Sequence, residues 1–369
     1  MPGRRAMEGR RRLQGPRGAV HLLRDGSSIA NFAVVSWCNA KCVFCSYPDA
    51  KERKEVRLED GRRAIDALRD LGVAIVSLTG GEPFLDRDLF DIAEYASGEG
   101  LIVFTGTNGT FLTPATAARL ARAEVQGVWI SYEGPDAETF DRNRGVPGLT
   151  EKIRRGLQFL DGAGVNAYCI CVLNRTVMDV RRFVDHIADV GYTKVKFDYP
   201  MTRLESSYLG FSDWSNLHLS AAEMGSVIDQ ILELKRERYR GVEVLNPTEG
   251  LRGAARFWAG EPPRFPCFAG EKILYLDWNL DLWRCTTLPE KFGKVWEVPR
   301  ERLRRIDCNR CYYQGVRDYD GLYYFVSSME RGTDALMAGH AFDAARSFLD
   351  PHNVAGLRSA IELGTGGFA

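Results

Sequence analysis

No run of eighteen apolar residues occurs anywhere in the 369-residue chain, which excludes a transmembrane helix. Net charge is missing too, since 49 lysines and arginines balance 49 aspartates and glutamates. Without a global field, nothing recommends nucleic acid or an anionic membrane as the partner. Histidine is scarce: His21, His186, His218, His340 and His352 are scattered, and none forms a metal-ligand spacing. A secretory signal is also lacking. The first 19 residues carry six arginines and one acid with no apolar run after them, so residues 1–28 read as a basic arm and the chain is expected in the cytoplasm. Nine cysteines cannot all pair, and a chain of this length needs no disulfide framework. Their clustering points instead to metal sites in a reducing compartment.

From residue 29 to 200, short apolar runs alternate with helical stripes. The runs begin at Phe32, Ala74, Leu101, Val128, Ala167 and Val195. Between them stand Ala64, Leu68 and Leu71, then Ile153, Leu157 and Leu160, then Phe183, Ile187 and Val190, at i, i+4, i+7. Six strands about one helix apart predict an α/β fold of parallel βαβ units, an open partial barrel or a doubly wound sheet. In either, ligands gather at the carboxyl ends of the strands. Ser220 and Glu223 form a capping box that opens a further helix. The expected organisation is a barrel over 29–244, a Gly- and Pro-containing linker over 245–266, a small cysteine-bearing module over 267–325 and a helical tail over 326–369.

Cys38, Cys42 and Cys45 follow the first strand. Three thiolates on one short loop select zinc or iron–sulfur. A structural zinc site wants a fourth ligand that would have to come from afar, whereas three ligands to four irons leave one iron open. The second strand runs into Thr79-Gly80-Gly81-Glu82-Pro83, where glycines admit close backbone approach and a carboxylate can receive an ammonium.

Here the sequence resembles the radical SAM superfamily. Cys38, Cys42 and Cys45 match its CxxxCxxC motif, with Phe44 before the third cysteine, and Gly80 to Pro83 match its GGEP motif. Thr107-Asn108-Gly109, Ser131-Tyr132-Glu133-Gly134-Pro135 and Arg144-Gly145 extend the likeness, although Tyr132 and Glu133 depart from the usual Leu-Asp. The resemblance implies a partial (β/α)6 barrel and a [4Fe–4S] cluster whose open iron is chelated by S-adenosylmethionine (SAM). Reductive cleavage of SAM would give a 5′-deoxyadenosyl radical. It further implies that Glu82 with Gly80 and Gly81 binds the methionyl ammonium. Ser131 and Arg144 would serve the carboxylate or ribose, and Phe44 the adenine. Asn108 is counted among the cofactor contacts, and a reductase with flavodoxin, or a ferredoxin, would donate electrons.

Cys267, Cys285, Cys308 and Cys311 supply four further thiolates, which by spacing alone suit either zinc or iron–sulfur. The segment resembles the twitch domain, the short form of the SPASM extension, and implies one auxiliary [4Fe–4S] cluster for electron transfer. Leu280 stands where that pattern commonly has glycine. Cys169 and Cys171 share one face of the fifth strand. Burial is the ordinary reading for both, and Cys171 is also a candidate hydrogen-atom donor. Asp198 and Arg203, after the sixth strand, are candidate substrate contacts. The tyrosines from Tyr312 to Tyr324 either wall the pocket or pack beneath the second cluster.

The expected function is oxidation or epimerisation at a secondary alcohol carbon of a small hydroxylated metabolite, of sugar or aminocyclitol type. The alternatives are a peptide maturase and a radical dehydratase or other C–H functionalisation of a small molecule. Peptide maturases commonly carry a leader-binding domain ahead of the barrel, and only about thirty residues precede the first strand here.

Overall fold

The computed structural model describes residues 28–201 and 214–364. Each apolar run forms a strand: β1 (Ser28–Val35), β2 (Val73–Gly80), β3 (Ile102–Thr107), β4 (Gly127–Ser131), β5 (Asn166–Val172) and β6 (Lys194–Asp198). All neighbouring pairs among these six are parallel. The crossovers carry α1 (Leu58–Asp70), α2 (Leu89–Gly98), α3 (Pro114–Arg122), α4 (Ala137–Arg144), α5 (Leu149–Gly162) and α6 (Val180–Val190). Three of these helices begin at side-chain caps, Thr113, Asp136 and Asp179, each accepting a backbone N–H three residues on. The predicted capping box of Ser220 and Glu223 opens α7 (Ala221–Glu237).

Beyond β6 the sheet gains a two-residue strand, β7 (Glu243–Val244), which the sequence pattern does not announce. Half of the expected linker is a helix, α8 (Thr248–Trp258), with buried Leu251 and Ala254. Its glycines are packing positions: a Cβ on Gly253 would lie 1.7 Å from the Tyr312 hydroxyl.

The cysteine-bearing segment is not an appendage. Its first strand, β8 (Ile273–Leu276), pairs in parallel with β1, and β9 (Asp281–Trp283) and β10 (Lys291–Lys294) continue antiparallel. One ten-stranded sheet results, in the order β10-β9-β8-β1-β2-β3-β4-β5-β6-β7. Its two ends are different strands that do not pair, so the sheet is open. Leu280 turns the chain from β8 to β9 with φ 64°. That left-handed conformation explains the family preference for glycine, and burial of the leucine side chain is the compensating gain.

The C-terminal residues form α9 (Gln314–Arg317), α10 (Asp320–Met337), α11 (Ala341–Phe348) and α12 (His352–Glu362). Leu322, Tyr323 and Val326 of α10 share a core with Ile29, Ile75, Phe104 and Tyr168 from the inner face of the sheet. The opposite face of the sheet packs against α1 to α7. No helix among the described residues is long and apolar enough to cross a membrane.

Candidate active site

The cysteine loop is gripped from two sides. On one side Gly81 N–H donates to Val35 O at 3.0 Å and Glu82 N–H to Trp37 O at 3.0 Å, tying β2 to the chain that leads into Cys38. A Cβ on Gly80 would lie 2.3 Å from Val35 O, and one on Gly81 1.9 Å from Trp37 O. These glycines therefore admit the cysteine loop itself. Glu82 is fully buried; its oxygens accept from Thr107 Oγ1 at 2.7 Å, Asn108 N at 2.6 Å and Phe84 N at 3.2 Å. Burial pushes its carboxyl up to about 7 despite those donors. Asn108, held this way, donates from Nδ2 to Asn39 Oδ1 at 2.9 Å and toward Cys38 Sγ at 3.5 Å.

On the other side the end of α4 closes against the loop. Val43 N–H donates to Asn143 O at 2.9 Å, and Gly145, at φ 63°, leaves no room for a Cβ beside Lys41 O. Arg144 and Glu133 form a buried two-point pair, with Nε to Oε2 at 2.8 Å and a second, shorter contact from Nη2 to Oε1. Arg144 Nη1 lies 3.5 Å from Cys42 Sγ. Burial by itself would lower the Arg144 pKa, but Glu133 and Cys42 beside it hold the guanidinium protonated. The departure at Glu133 thus supplies a counter-charge. Tyr132 belongs to the core: it stacks on Phe140, with centroids 3.7 Å apart, and bonds His186 Nε2 at 2.7 Å and Thr150 Oγ1 at 3.0 Å.

Burial raises the three thiols, Cys38 to about 11 and Cys45 to about 12, and Cys42 in the same direction. Each of Cys38 and Cys45 is raised further by its cysteine neighbours. Three soft donors on one loop, with no fourth joining them among the described residues, fit a cluster that keeps one iron open.

Beside the loop lies a cavity of about 310 Å³. All six barrel strands contribute to its wall, among them Asn31, Ser77, Gly106, Trp129, Ile170 and Lys196. A single cavity shared by six neighbouring strands requires the sheet to curl around it, as a partial barrel does. Phe44, Ser131 and Arg144 line it, as does Asp198. Gly80, Gly81, Glu82 and Asn108 stand behind the wall and position the loop. Arg203 lies outside the described residues. Tyr313 and Tyr319 close the cavity from the C-terminal segment, whereas Tyr312 and Tyr323 pack in the core.

The hydrogen-donor expectation for Cys171 is corrected by the strand's own period. Ile170 and Val172 face the cavity, so Cys169 and Cys171 point to the helix layer, where both are completely buried. Cys171→Ala is expected to leave solvent-deuterium incorporation into 5′-deoxyadenosine and product unchanged, at a stability loss of ~1 kcal/mol, measurable by mass spectrometry and urea unfolding.

The four remaining cysteines converge. Cys267, Cys285, Cys308 and Cys311 all line one small cavity. Arg317 organises them: Nη2 donates to Cys308 O at 3.1 Å, Nε to Cys311 O at 3.3 Å and Nη1 to Asp320 Oδ2 at 2.9 Å. Asp320 Oδ1 in turn accepts from Phe268 N at 3.2 Å, next to Cys267. Tyr313 belongs to the linings of both cavities. Sequence reasoning missed Arg317 and Asp320, because an Arg-x-x-Asp on a helix start carries no metal signature.

Residues 33–187 match the Radical SAM superfamily. The AdoMet-dependent heme synthase of Methanosarcina barkeri is 38% identical over 305 residues, 77% of this chain and 83% of that protein. The same-named enzyme of Oleidesulfovibrio alaskensis is 36% identical over 158 residues, and the match spans only 40% of either protein. The mycofactocin maturase of Mycolicibacterium smegmatis is 29% identical over 67% of this chain and 61% of its own length. The PqqA peptide cyclase of Granulibacter bethesdensis is 25% identical over 76% and 79%. Among solved structures, Streptococcus suis SuiB bound to precursor peptide SuiA shares the fold with a TM-score of 0.58 at 14% identity, over 84% of this chain and 74% of that one. These relatives overturn the expected oxidation or epimerisation of a sugar or aminocyclitol, since they are heme synthases and peptide-modifying enzymes.

Proposed function

The chain belongs to the radical SAM superfamily, and we propose that it modifies a peptide by radical chemistry at a C–H position held in the cavity. When bound, the cluster and SAM supply the 5′-deoxyadenosyl radical that abstracts hydrogen, the electron coming from a flavodoxin- or ferredoxin-type donor. The chain's own residues bind and orient. Phe44, Ser131 and Arg144 line the cavity and would hold SAM there, while Glu82 and Asn108 hold the cysteine loop in register. Tyr313 fills the wall between the main cavity and the second cysteine site, keeping water out and placing an aromatic ring between them. Cys267, Cys285, Cys308 and Cys311 would hold one auxiliary [4Fe–4S] cluster, whose chemistry is one-electron transfer.

The observation that carries the reading is the cavity: about 310 Å³ with Phe44, Phe104, Trp129, Tyr313 and Tyr319 in its wall. That is the small end of the range for ligand sites; SAM would take the side of Phe44, Ser131 and Arg144, which leaves the wall of Phe104, Trp129, Tyr313 and Tyr319 for one side chain and its amide. The peptide cyclase relative, matched over 76% of this chain, agrees with it. A second reading, a tetrapyrrole substrate, is favoured by the 38% identity to a heme synthase. Anaerobically reconstituted protein with dithionite and SAM separates them. Peptide-stimulated 5′-deoxyadenosine release with a mass change on the peptide supports the first. Stimulation by Fe-coproporphyrin III and by no peptide would overturn it.

A further inference from the structure

Two ionisable side chains of β6 line the cavity and are not used by the cofactor contacts above. Lys196 and Asp198 are alternate residues of β6, so both face inward. Lys196 is buried, and an ammonium has three donors. One reaches the Tyr319 hydroxyl at 3.1 Å. Asp318 Oδ2 lies 3.8 Å away, beyond hydrogen-bond reach, and the Asp318 carboxylate is supplied by Asn246, Gln314 and Tyr199. The ammonium sits 4.7 Å from the Tyr319 ring centroid and 5.6 Å from that of Trp129, so it is held in place with donor capacity left over. Asp198 Oδ1 is buried with no hydrogen-bond partner. Burial, then the nearby Asp318, pushes that carboxyl up to about 7.

Spare donors beside a lone acceptor are costly in a closed site until a ligand satisfies both. A ligand carboxylate brings acceptors only and leaves Asp198 Oδ1 without a donor unless one of the two acids takes up a proton. An ammonium brings donors only and meets Lys196 as a second cation. An amide brings one of each. We propose that Lys196 and Asp198 are an amide-recognition pair, with Lys196 donating to a substrate peptide carbonyl and Asp198 Oδ1 accepting a substrate peptide N–H. The inference rests on the peptide reading above and names the group by which the peptide is held.

The test is calorimetric titration of the anaerobically reconstituted protein with three probes of one shape. These are 3-(4-hydroxyphenyl)-N-methylpropanamide, the methyl ester of the same acid, and the free acid. The amide is expected to bind about tenfold more tightly than the ester, which lacks the N–H. Asp198→Leu should bring the two within about twofold, whereas Asp198→Asn, which keeps an Oδ1 acceptor, should preserve the ratio. Lys196→Met should weaken both probes about tenfold. Circular dichroism and iron content matching the parent establish that each variant is folded and loaded. Equal binding of amide and ester by the parent, a ratio that survives in Asp198→Leu, tighter binding of the free acid, or no binding of any probe would each overturn the pair. Failure of peptide modification with the amide preference intact would remove the reaction and leave the pair. Peptide modification without an amide preference would remove the pair alone.

Discussion

Alanine at Cys38, Cys42 and Cys45 together is expected to leave a folded chain that holds about half of the parent's iron and releases no 5′-deoxyadenosine. The fold survives because the loop is fixed by bonds that do not involve the thiols: Glu82 to Trp37, Asn108 to Asn39 and Val43 to Asn143. Activity does not survive, because no other described residue replaces three soft donors beside the cavity. The reciprocal variant, alanine at Cys285 and Cys308, should lose the other half of the iron while basal SAM cleavage persists. Iron counting and chromatography of 5′-deoxyadenosine read both. Assembly should also depend on pH. Burial raises the three thiols, and each must lose its proton to become a ligand. Lowering pH therefore weakens iron binding, by at most ~1.4 kcal/mol per thiol per pH unit.

Glu133→Gln is expected to destabilise the chain by roughly 3–5 kcal/mol, because it removes the carboxylate paired with the buried Arg144 guanidinium. The penalty comes from leaving Arg144 charged and uncompensated, not from the intrinsic strength of the pair. The double variant Glu133→Leu with Arg144→Met should therefore recover part of the loss, as a double-mutant cycle in urea would show. A single variant as stable as the parent would mean that Cys42, at 3.5 Å from Arg144 Nη1, already supplies the counter-charge. Because Arg144 lines the cavity, the single variant should also weaken SAM binding.

Much of the molecule was legible in its residues. The six strands and the stripes of α1, α5 and α6 follow from alternation of apolar runs and i, i+4, i+7 patterns, which are local properties of the chain. The capping box of α7 is similarly local. β7 escaped notice because two residues carry no period, and α8 because its glycines, which read as linker, are instead close-packing positions against Tyr312 and Asp318.

Sequence alone determined which residues carry the chemistry: three cysteines, then Gly80 to Pro83, then four cysteines, each set a matter of residue type and spacing. Only the tertiary structure decided what each of them packs against. It showed Gly80, Gly81 and Glu82 clamping the cysteine loop, through close backbone approach and three converging donors. It sent Cys171 outward by the parity of its strand and joined the second cysteine site to the first sheet through β8. It also brought Lys196 and Asp198 to one wall with their hydrogen-bonding capacity in excess. Parity, register and burial depend on which strands meet, and contacts between residues far apart in the chain leave no local mark in the sequence.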